Sequence, residues 1–274
     1  MDIKGWKYYN HAAIPTTSPH EDPDLTPLVN GDIWKLGAHT PLFARWTTNF
    51  DCGYETNWWY VLREGPFSVE DVPAKERKSI RQALRKSYAK RINPLQFVDE
   101  LYSCYVSAVS QYDNDPSIQS KENFLNLRDN RIEFWAGFDI ETDKLIGYMT
   151  VAVYDIYVEI RTAKFDPEFF KSQVSDTIYL HVLEYYLNEC EKKYVSSGSR
   201  NINHKTGTQE YKIRRFGYRK AYCNLHIEYN PKIKWIIKLL FPFRKLFLVF
   251  DKIGVVHQLN SVLKMEELCR SEIK

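Results

Sequence analysis

The stretch Tyr194–Tyr229, YVSSGSRNINHKTGTQEYKIRRFGYRKAYCNLHIEY, decides how this chain is read. Tyr194–Arg200 has the composition of a short strand. Thr206-Gly207-Thr208-Gln209 has the T-x-x-Q form of a capping box, in which a threonine hydroxyl and a glutamine amide serve the free N–H groups of a helix start. The helix it opens ends at Gly217, a suitable left-handed stop. Ala221, Cys223, Leu225, Ile227 and Tyr229 then alternate with the period of a strand. The stretch reads as β-α-β.

Working outward, Val174–Cys190 is apolar nearly all round, which predicts a helix packed against a sheet. Ile132–Ile140 alternates, the turn Glu141–Lys144 follows, and LIGYMTVAVY reads as a strand covered on both faces. A third strand runs near Val158–Phe165 and stops at Asp166-Pro167. Asn93 is an N-cap with Pro94 at the first helical position and Gln96 able to reach back, and Phe97, Leu101, Cys104, Tyr105 and Ala108 keep helical spacing. A short helix capped by Ser120 follows the break at Asp115-Pro116. The order from 91 to 230 is β-α-α-β-β-β-α-β-α-β.

The 274 residues are 44% hydrophobic and 27% charged, which excludes a disordered or low-complexity chain. A chain of this size buries roughly 75% of its unfolded surface, so one large domain with additions is expected. Its 38 basic and 35 acidic residues leave +3, too little for a dedicated nucleic-acid binder, and no DNA partner is expected. Cys52, Cys104, Cys190, Cys223 and Cys269 form no CxxC and no Cys/His cluster, so neither zinc nor a disulfide framework is expected. MDIKGWKYYNHAAIP lacks the apolar core of a signal peptide, and no apolar run approaches the roughly 20 residues of a membrane span. A cytoplasmic location with reduced thiols is expected.

Residues 1–42 read as an irregular arm. Leu42–Phe50 and Thr56–Arg63, around Asp51-Cys52-Gly53-Tyr54, read as a strand pair. Lys75–Arg91, with eight basic residues and one acid, reads as a solvated helix. Three segments follow: 1–90 with the arm, strand pair and basic helix, a central domain over 91–230, and a basic, aromatic tail over 231–274. Pro242 is expected to break that tail into two short helices.

The element order, with Arg215-Phe216-Gly217-Tyr218 before the last strand, resembles the GNAT acyltransferase fold. ARWTTNFD, ETNWWYVLREGPF and KRINP, with the basic helix, are similar to the linker region of FemAB-like proteins. The resemblance implies an α/β fold with a mixed, mostly antiparallel twisted sheet flanked by helices, an N-terminal β extension and a C-terminal helical tail. It implies acyl or aminoacyl transfer in cell-envelope synthesis, with acyl-CoA as co-substrate and no metal. In acyl-CoA members a loop [Q/R]-x-x-G-x-[G/A] holds the diphosphate. Here it reads Phe170-Lys171-Ser172-Gln173-Val174-Ser175, with both glycines replaced. Lys171, Ser172, Gln173, Val174 and Ser175 are the matching donor-binding positions, and a helix dipole survives the changes.

Transfer to an amine needs a base and an acid. Glu159 matches the family's base on the third strand; its alternative is an ion pair with Arg161 or Lys164. Tyr211 matches the tyrosine acid; its alternative is a core tyrosine. His204 sits on a loop with Ser199, Arg200, Asn201 and Asn203 at a strand end, where α/β ligands bind, and its alternative is bracing the loop. Arg45, Trp46, Glu55 and Trp58, with Trp59, are candidates for stacking on a sugar or are core filler. His20-Glu21-Asp22 with Asp24 reads as solvated acids, not a metal site.

The basic helix would approach a tRNA or present a solvated face. Residues 231–252 would lie in a membrane headgroup plane or dock on the protein. The leading expectation is transfer from acyl-CoA to an amine or hydroxyl of a cell-envelope or surface-polysaccharide precursor, small or lipid-linked. Aminoacyl transfer from charged tRNA and a non-catalytic scaffold of the same fold are the alternatives.

Overall fold

The computed structural model describes residues 1–111, 118–124, 129–202, 207–251 and 253–272. In chain order they form β1 (Trp6–Tyr9), β2 (Ala12–Pro15), α1 (Thr26–Val29), β3 (Phe43–Thr48), β4 (Trp58–Glu64), α2 (Ala74–Leu84) and β5 (Ser87–Ile92). These are followed by α3 (Val98–Val109), α4 (Lys121–Phe124), β6 (Ile132–Asp139), β7 (Leu145–Val153), β8 (Tyr157–Phe165) and α5 (Val174–Leu183). The chain closes with β9 (Tyr194–Ser199), α6 (Thr208–Phe216), β10 (Arg219–Tyr229), α7 (Pro231–Leu240), α8 (Arg244–Phe247) and α9 (Gly254–Glu272). The fold is mixed α/β, with mostly antiparallel strands flanked by helices and a helical C-terminal tail. From α3 to β10 the order is the one the sequence implies. Among the described residues, 1–60, 199–202 and 220–272 make one compact unit and 61–198 with 207–219 the other.

In the second unit the strands run in the order β9-β8-β7-β6-β5. β7 is buried along nearly its whole length, as its unbroken apolar run requires. The alternation of β6 and β7 sorts its two covers. Phe134, Ala136, Phe138 and Tyr148 pack with Leu101 and Cys104 of α3. Gly137 and Gly147, one residue out of phase, face α5. A Cβ on Gly137 would stand 2.3 Å from Val174 Cγ2 and 2.9 Å from Ile178 Cδ1. The missing side chain therefore lets the start of α5 sit directly on the sheet.

In the first unit β1 and β2 form a hairpin, and β2 runs parallel to β3, which pairs antiparallel with β10 from Phe43↔Tyr229 to Thr48↔Asn224. Trp6, Ala13, Ile33, Leu36 and Ala44 form one buried cluster there. Ala12, Phe43, Tyr229, Ile237, Leu263 and Met265 form another, in which the C-terminal helices supply Ile237, Leu263 and Met265.

Four local expectations are corrected. The arm over 1–42 is not irregular: Asn10 and His11, at φ 45° and 64°, turn the β1–β2 hairpin. These strands are four residues long, too short to show a period. Second, β3 and β4 both form, but β3 takes β2 and β10 as partners, so the two are not a hairpin pair. Third, the basic run Lys75–Arg91 is not one helix. It breaks after α2, and β5 pairs with β6, where Tyr88 stacks on Phe138 at 5.1 Å. Sheet pairing overrides a continuous helical composition there. Fourth, α6 begins at Thr208 after Gly207, at φ 62°, one residue later than the expected capping box places it. Thr206 of the expected capping box lies outside the described residues. Gly217 does end α6 in the left-handed conformation, and Pro242 falls in a 3₁₀ turn between α7 and α8.

Gly137→Ala is expected to destabilise the chain by about 2 kcal/mol, because Val174 and Ile178 have no room to withdraw. Val174→Ala in the same chain is expected to recover part of that loss. Urea unfolding of both variants and of Val174→Ala alone measures it, and a Gly137→Ala chain as stable as the parent would refute the close approach.

Candidate functional site

β8 and β9 run parallel and pair at three positions, Tyr157↔Tyr194, Val158↔Val195 and Glu159↔Ser196. Both strands continue past the last pair, β8 to Phe165 and β9 to Ser199. The pairing ends there, and Glu159 stands at its last position, just before the two strands part. The Glu159 carboxylate lies 3.1 Å from the Arg161 guanidinium two residues along the strand. That is the ion pair the sequence offers as the alternative to catalysis.

The 3₁₀ turn Pro167–Ser172 leads into α5 through Gln173, a non-glycine residue in the left-handed region at φ 55°. The matching donor-binding positions are all located. The Lys171 carbonyl accepts from Lys86 Nζ at 3.0 Å, and Ser172 Oγ donates to the Phe169 carbonyl at 2.7 Å. Gln173 Oε1 accepts from Ser79 Oγ at 3.0 Å, Val174 is buried on the sheet, and Ser175 Oγ lies 3.5 Å from the Tyr211 hydroxyl. The Phe170 ring is exposed.

Asp176, third in α5, is buried and collects the neighbouring polar groups. The Tyr211 hydroxyl donates to its Oδ1 and Arg215 Nη1 to its Oδ2. Arg215 Nε also donates to Glu76 Oε2 at 2.8 Å, and Arg215 Nη1 to Ser79 Oγ at 3.2 Å. The cluster joins α2, α5 and α6 within one unit. Burial pushes the Asp176 carboxyl up, against the pull of Tyr211 and Arg215. Burial and the adjacent Asp176 charge push the Tyr211 hydroxyl up, so it stays protonated at neutral pH.

On the other side of α6, Lys212 is 7% exposed. Its Nζ donates to Ser197 Oγ, one residue past the last β8–β9 pair, and lies 5.4 Å from the centre of the Tyr179 ring. No carboxylate faces it among the described residues, and burial pulls its pKa down to about 8.

In the first unit, Arg45 lies 5.4 Å from the centre of the Trp58 ring, and Trp58 is buried with Cys223 and Leu225. Trp46 stacks on His226 at 5.2 Å. Arg200 lies 4.4 Å over Trp59 and donates to the Asn57 carbonyl at 2.5 Å. Ser199 ends β9, and Glu55 and Asn201 are exposed. His204 and Asn203 lie outside the described residues. Among the described residues no group of three or more His, Cys, Asp or Glu side chains is arranged to hold a metal ion.

Asp176, Glu76 and Lys212 were not singled out from the sequence. Asp176 had a signal, as the single acid of the apolar stretch Val174–Leu183, but Lys212 had none.

No protein-family model matches the chain, and no curated protein matches it. Solved structures do. FemX superposes with a TM-score of 0.55 at 9% identity, over 77% of this chain and 78% of that one. The C-terminal DUF2156 domain from Agrobacterium fabrum, assigned by name to a lysylphosphatidylglycerol synthetase, gives 0.54 at 11% identity over 83% and 81%. L-PGS from Bacillus licheniformis gives 0.52 at 10% identity over 80% and 78%. The chain shares its fold with these three structures. At such identities the likeness is one of fold.

A lysine whose folded-state pKa is lowered makes stability rise with pH between the folded and unfolded values, because only the unfolded chain holds the proton there. That window opens near pH 8 for Lys212. Lys212→Met is expected to be about 2 kcal/mol more stable than the parent at pH 7, with the gap closing towards pH 10. Urea unfolding across pH 7–10 measures it, and a gap that is constant with pH would mean Lys212 keeps its proton.

Proposed function

We propose that this chain is a transferase, moving an acyl group from acyl-CoA to an amine or hydroxyl of a cell-envelope or surface-polysaccharide precursor. The observation that carries the reading is the parting of β8 and β9 just past the pair Glu159↔Ser196, in a fold shared with FemX and an L-PGS. An acceptor amine attacks the thioester carbonyl, the new C–N bond forms and the C–S bond breaks. A base takes the proton from nitrogen and an acid returns one to sulfur. Glu159 is the proposed base. Tyr211 is the proposed acid, since its environment keeps the proton on the hydroxyl. His204 is proposed as a further catalytic group from its place between β9 and α6. Lys171 to Ser175 are the proposed donor contacts, where Val174 and Ser175 present the first N–H groups of α5. Arg45, Trp46, Glu55, Trp58, Ser199, Arg200, Asn201 and Asn203 are the proposed acceptor contacts.

One observation favours a second donor, an aminoacyl-tRNA. The positive end of α5 already has a carboxylate, Asp176, and Arg215 is committed to it. A donor that does not need a diphosphate cradle suits that arrangement, and the exposed Lys75 and Lys78 of α2, with Arg85 just after it, suit a polyanion. Calorimetry with acetyl-CoA and long-chain acyl-CoAs separates the two. Saturable heat is expected, and Glu159→Gln is expected to lower turnover about 100-fold without changing the melting temperature. No heat at millimolar ligand removes the CoA reading. The tRNA reading then requires binding that falls steeply with salt. Failure of both leaves a non-catalytic scaffold.

Location belongs to the same reading. Among the described residues no helix is long and apolar enough to cross a membrane. The tail over 231–252 packs Ile237 into the first unit's core yet leaves Trp235, Leu239, Phe243, Leu246, Val249 and Phe250 exposed beside Lys232, Lys238 and Lys245. Apolar and basic groups on one surface suit the face of an anionic bilayer, where a lipid-linked acceptor would reside. The chain is expected to co-sediment with phosphatidylglycerol vesicles, and the triple variant Trp235→Glu, Leu239→Glu, Phe243→Glu to stay in the supernatant. Equal pelleting, or none for the parent, removes the membrane contact.

A further inference from the structure

The first unit contains a cavity of about 620 Å³, inside the roughly 300–1,000 Å³ range of small-molecule sites. Its wall is built from the core side of β2 and β3, from Ile202, and from the inward faces of α7 and α9, with Ile14, Phe43, Ile237, Val262 and Met265 among its apolar residues. Exposed Val255, Leu42 and Tyr9 lie at its rim, so the cavity communicates with the surface.

One charged group belongs to this wall. Arg45 projects from β3, half-buried as a residue, with its guanidinium sunk deeply enough that burial pulls its pKa below the usual arginine value. Nη1 meets Met265 Sδ at 3.6 Å, and the guanidinium carbon lies 5.4 Å from the centre of the Trp58 ring. No carboxylate pairs with it among the described residues. A sulfur and a ring face leave most of the guanidinium N–H donors without a strong acceptor, and a guanidinium cannot shed its proton to escape burial.

From this juxtaposition we infer that the cavity binds an amphiphile with one apolar chain and an anionic head, the chain against Ile14, Ile237 and Val262 and the head on Arg45. The guanidinium fork matches a carboxylate or phosphate with two parallel N–H···O bonds. The apolar wall excludes a free inorganic anion as the natural occupant, since nothing would cover the half-buried Ile14, Ile233 and Val262. A neutral hydrocarbon is disfavoured for the opposite reason, because it would deepen the burial of an unpaired cation. α7 carries both Ile233 and Ile237 of the wall and the exposed Trp235 and Leu239, so the cavity adjoins exposed apolar side chains of the tail. The inference shares Arg45 with the proposed acceptor contacts but does not need the acyl-transfer reading.

The test is displacement of the fluorescent fatty acid cis-parinarate from the full chain by oleate, 1-oleoyl lysophosphatidate and oleyl alcohol, each below its aggregation concentration. Both anions are expected to bind at least tenfold more tightly than the alcohol, and the tighter of the two identifies the head group. Arg45→Met, which keeps the bulk and removes the charge, is expected to bring oleate down to the alcohol's affinity. Val262→Trp, which fills the cavity and leaves Arg45 in place, is expected to abolish displaceable binding of all three. Thermal melting checks that each variant is folded, and should Arg45→Met not fold, the contrast between oleate and oleyl alcohol on the parent chain reads the charge requirement directly. Equal affinity for oleate and the alcohol overturns the inference, as does oleate binding that Val262→Trp leaves unchanged.

Discussion

Asp176 is the one carboxylate that α5 takes below the surface, and three helices are arranged to make that tolerable. Desolvation raises the free energy of the ion, and the groups that offset it come from elsewhere in the second unit: the Tyr211 hydroxyl and Arg215 guanidinium from α6. Arg215 would itself be overcommitted with a single partner at partial burial, and Glu76 of α2 supplies the second at 2.8 Å. The result fixes α2, α5 and α6 relative to one another through charge-assisted bonds of defined direction, which apolar contact alone does not provide. Removing one member would strand the others, so the cluster holds together or fails as a unit.

The same anchoring point decides how α5 meets the sheet. Gly137 and Gly147 let Val174 descend to contact distance with β6 and β7, and the buried Ser87–Thr177 hydroxyl pair at 2.8 Å ties the next turn of α5 to β5. A helix start held this tightly cannot retreat to admit a ligand between itself and the sheet. Anything that binds there must approach the exposed end, past Phe170 and Lys171. Gln173 reaches the left-handed conformation without being glycine, at a cost of the order of 1 kcal/mol. Its side chain, bonded to Ser79, helps hold that turn.

The element order was legible because it rests on local signals. The alternation of Ile132–Ile140, the buried run of β7 and the left-handed stop at Gly217 need no knowledge of distant residues, and all three are present, whereas Asn93 and Pro94 open a 3₁₀ turn ahead of α3 and not α3 itself. What was not legible depended on partners. The β1–β2 hairpin is stabilised by β3 and by Ile33 and Leu36, none of which a four-residue strand can announce. β5 was hidden inside a basic helical pattern because its strand character comes from β6. The site followed the same division. Tyr211 and the loop before α5 were singled out by position, whereas Glu76 is a buried charge on a helix whose sequence reads as solvated and Lys212 is one on a helix whose buried face the sequence does not mark.

Three buried cations show three ways for a protein to tolerate such a group, and the comparison separates structure from function. Arg215 is paired twice, with Asp176 and Glu76, and its environment is complete. Lys212 has a hydroxyl and a ring face, and as an amine it can lower its charge by releasing a proton, which its depressed pKa of about 8 reflects. Arg45 has neither remedy: a sulfur and an indole contribute little to a full charge, and deprotonation is closed to a guanidinium. Folding alone gives no reason to place such a side chain beside Phe43 and Met265, where a methionine would pack as well and avoid the desolvation. A cation that neither structure nor titration satisfies, facing an apolar cavity that reaches the surface, is explained when the missing counter-charge arrives from outside the chain.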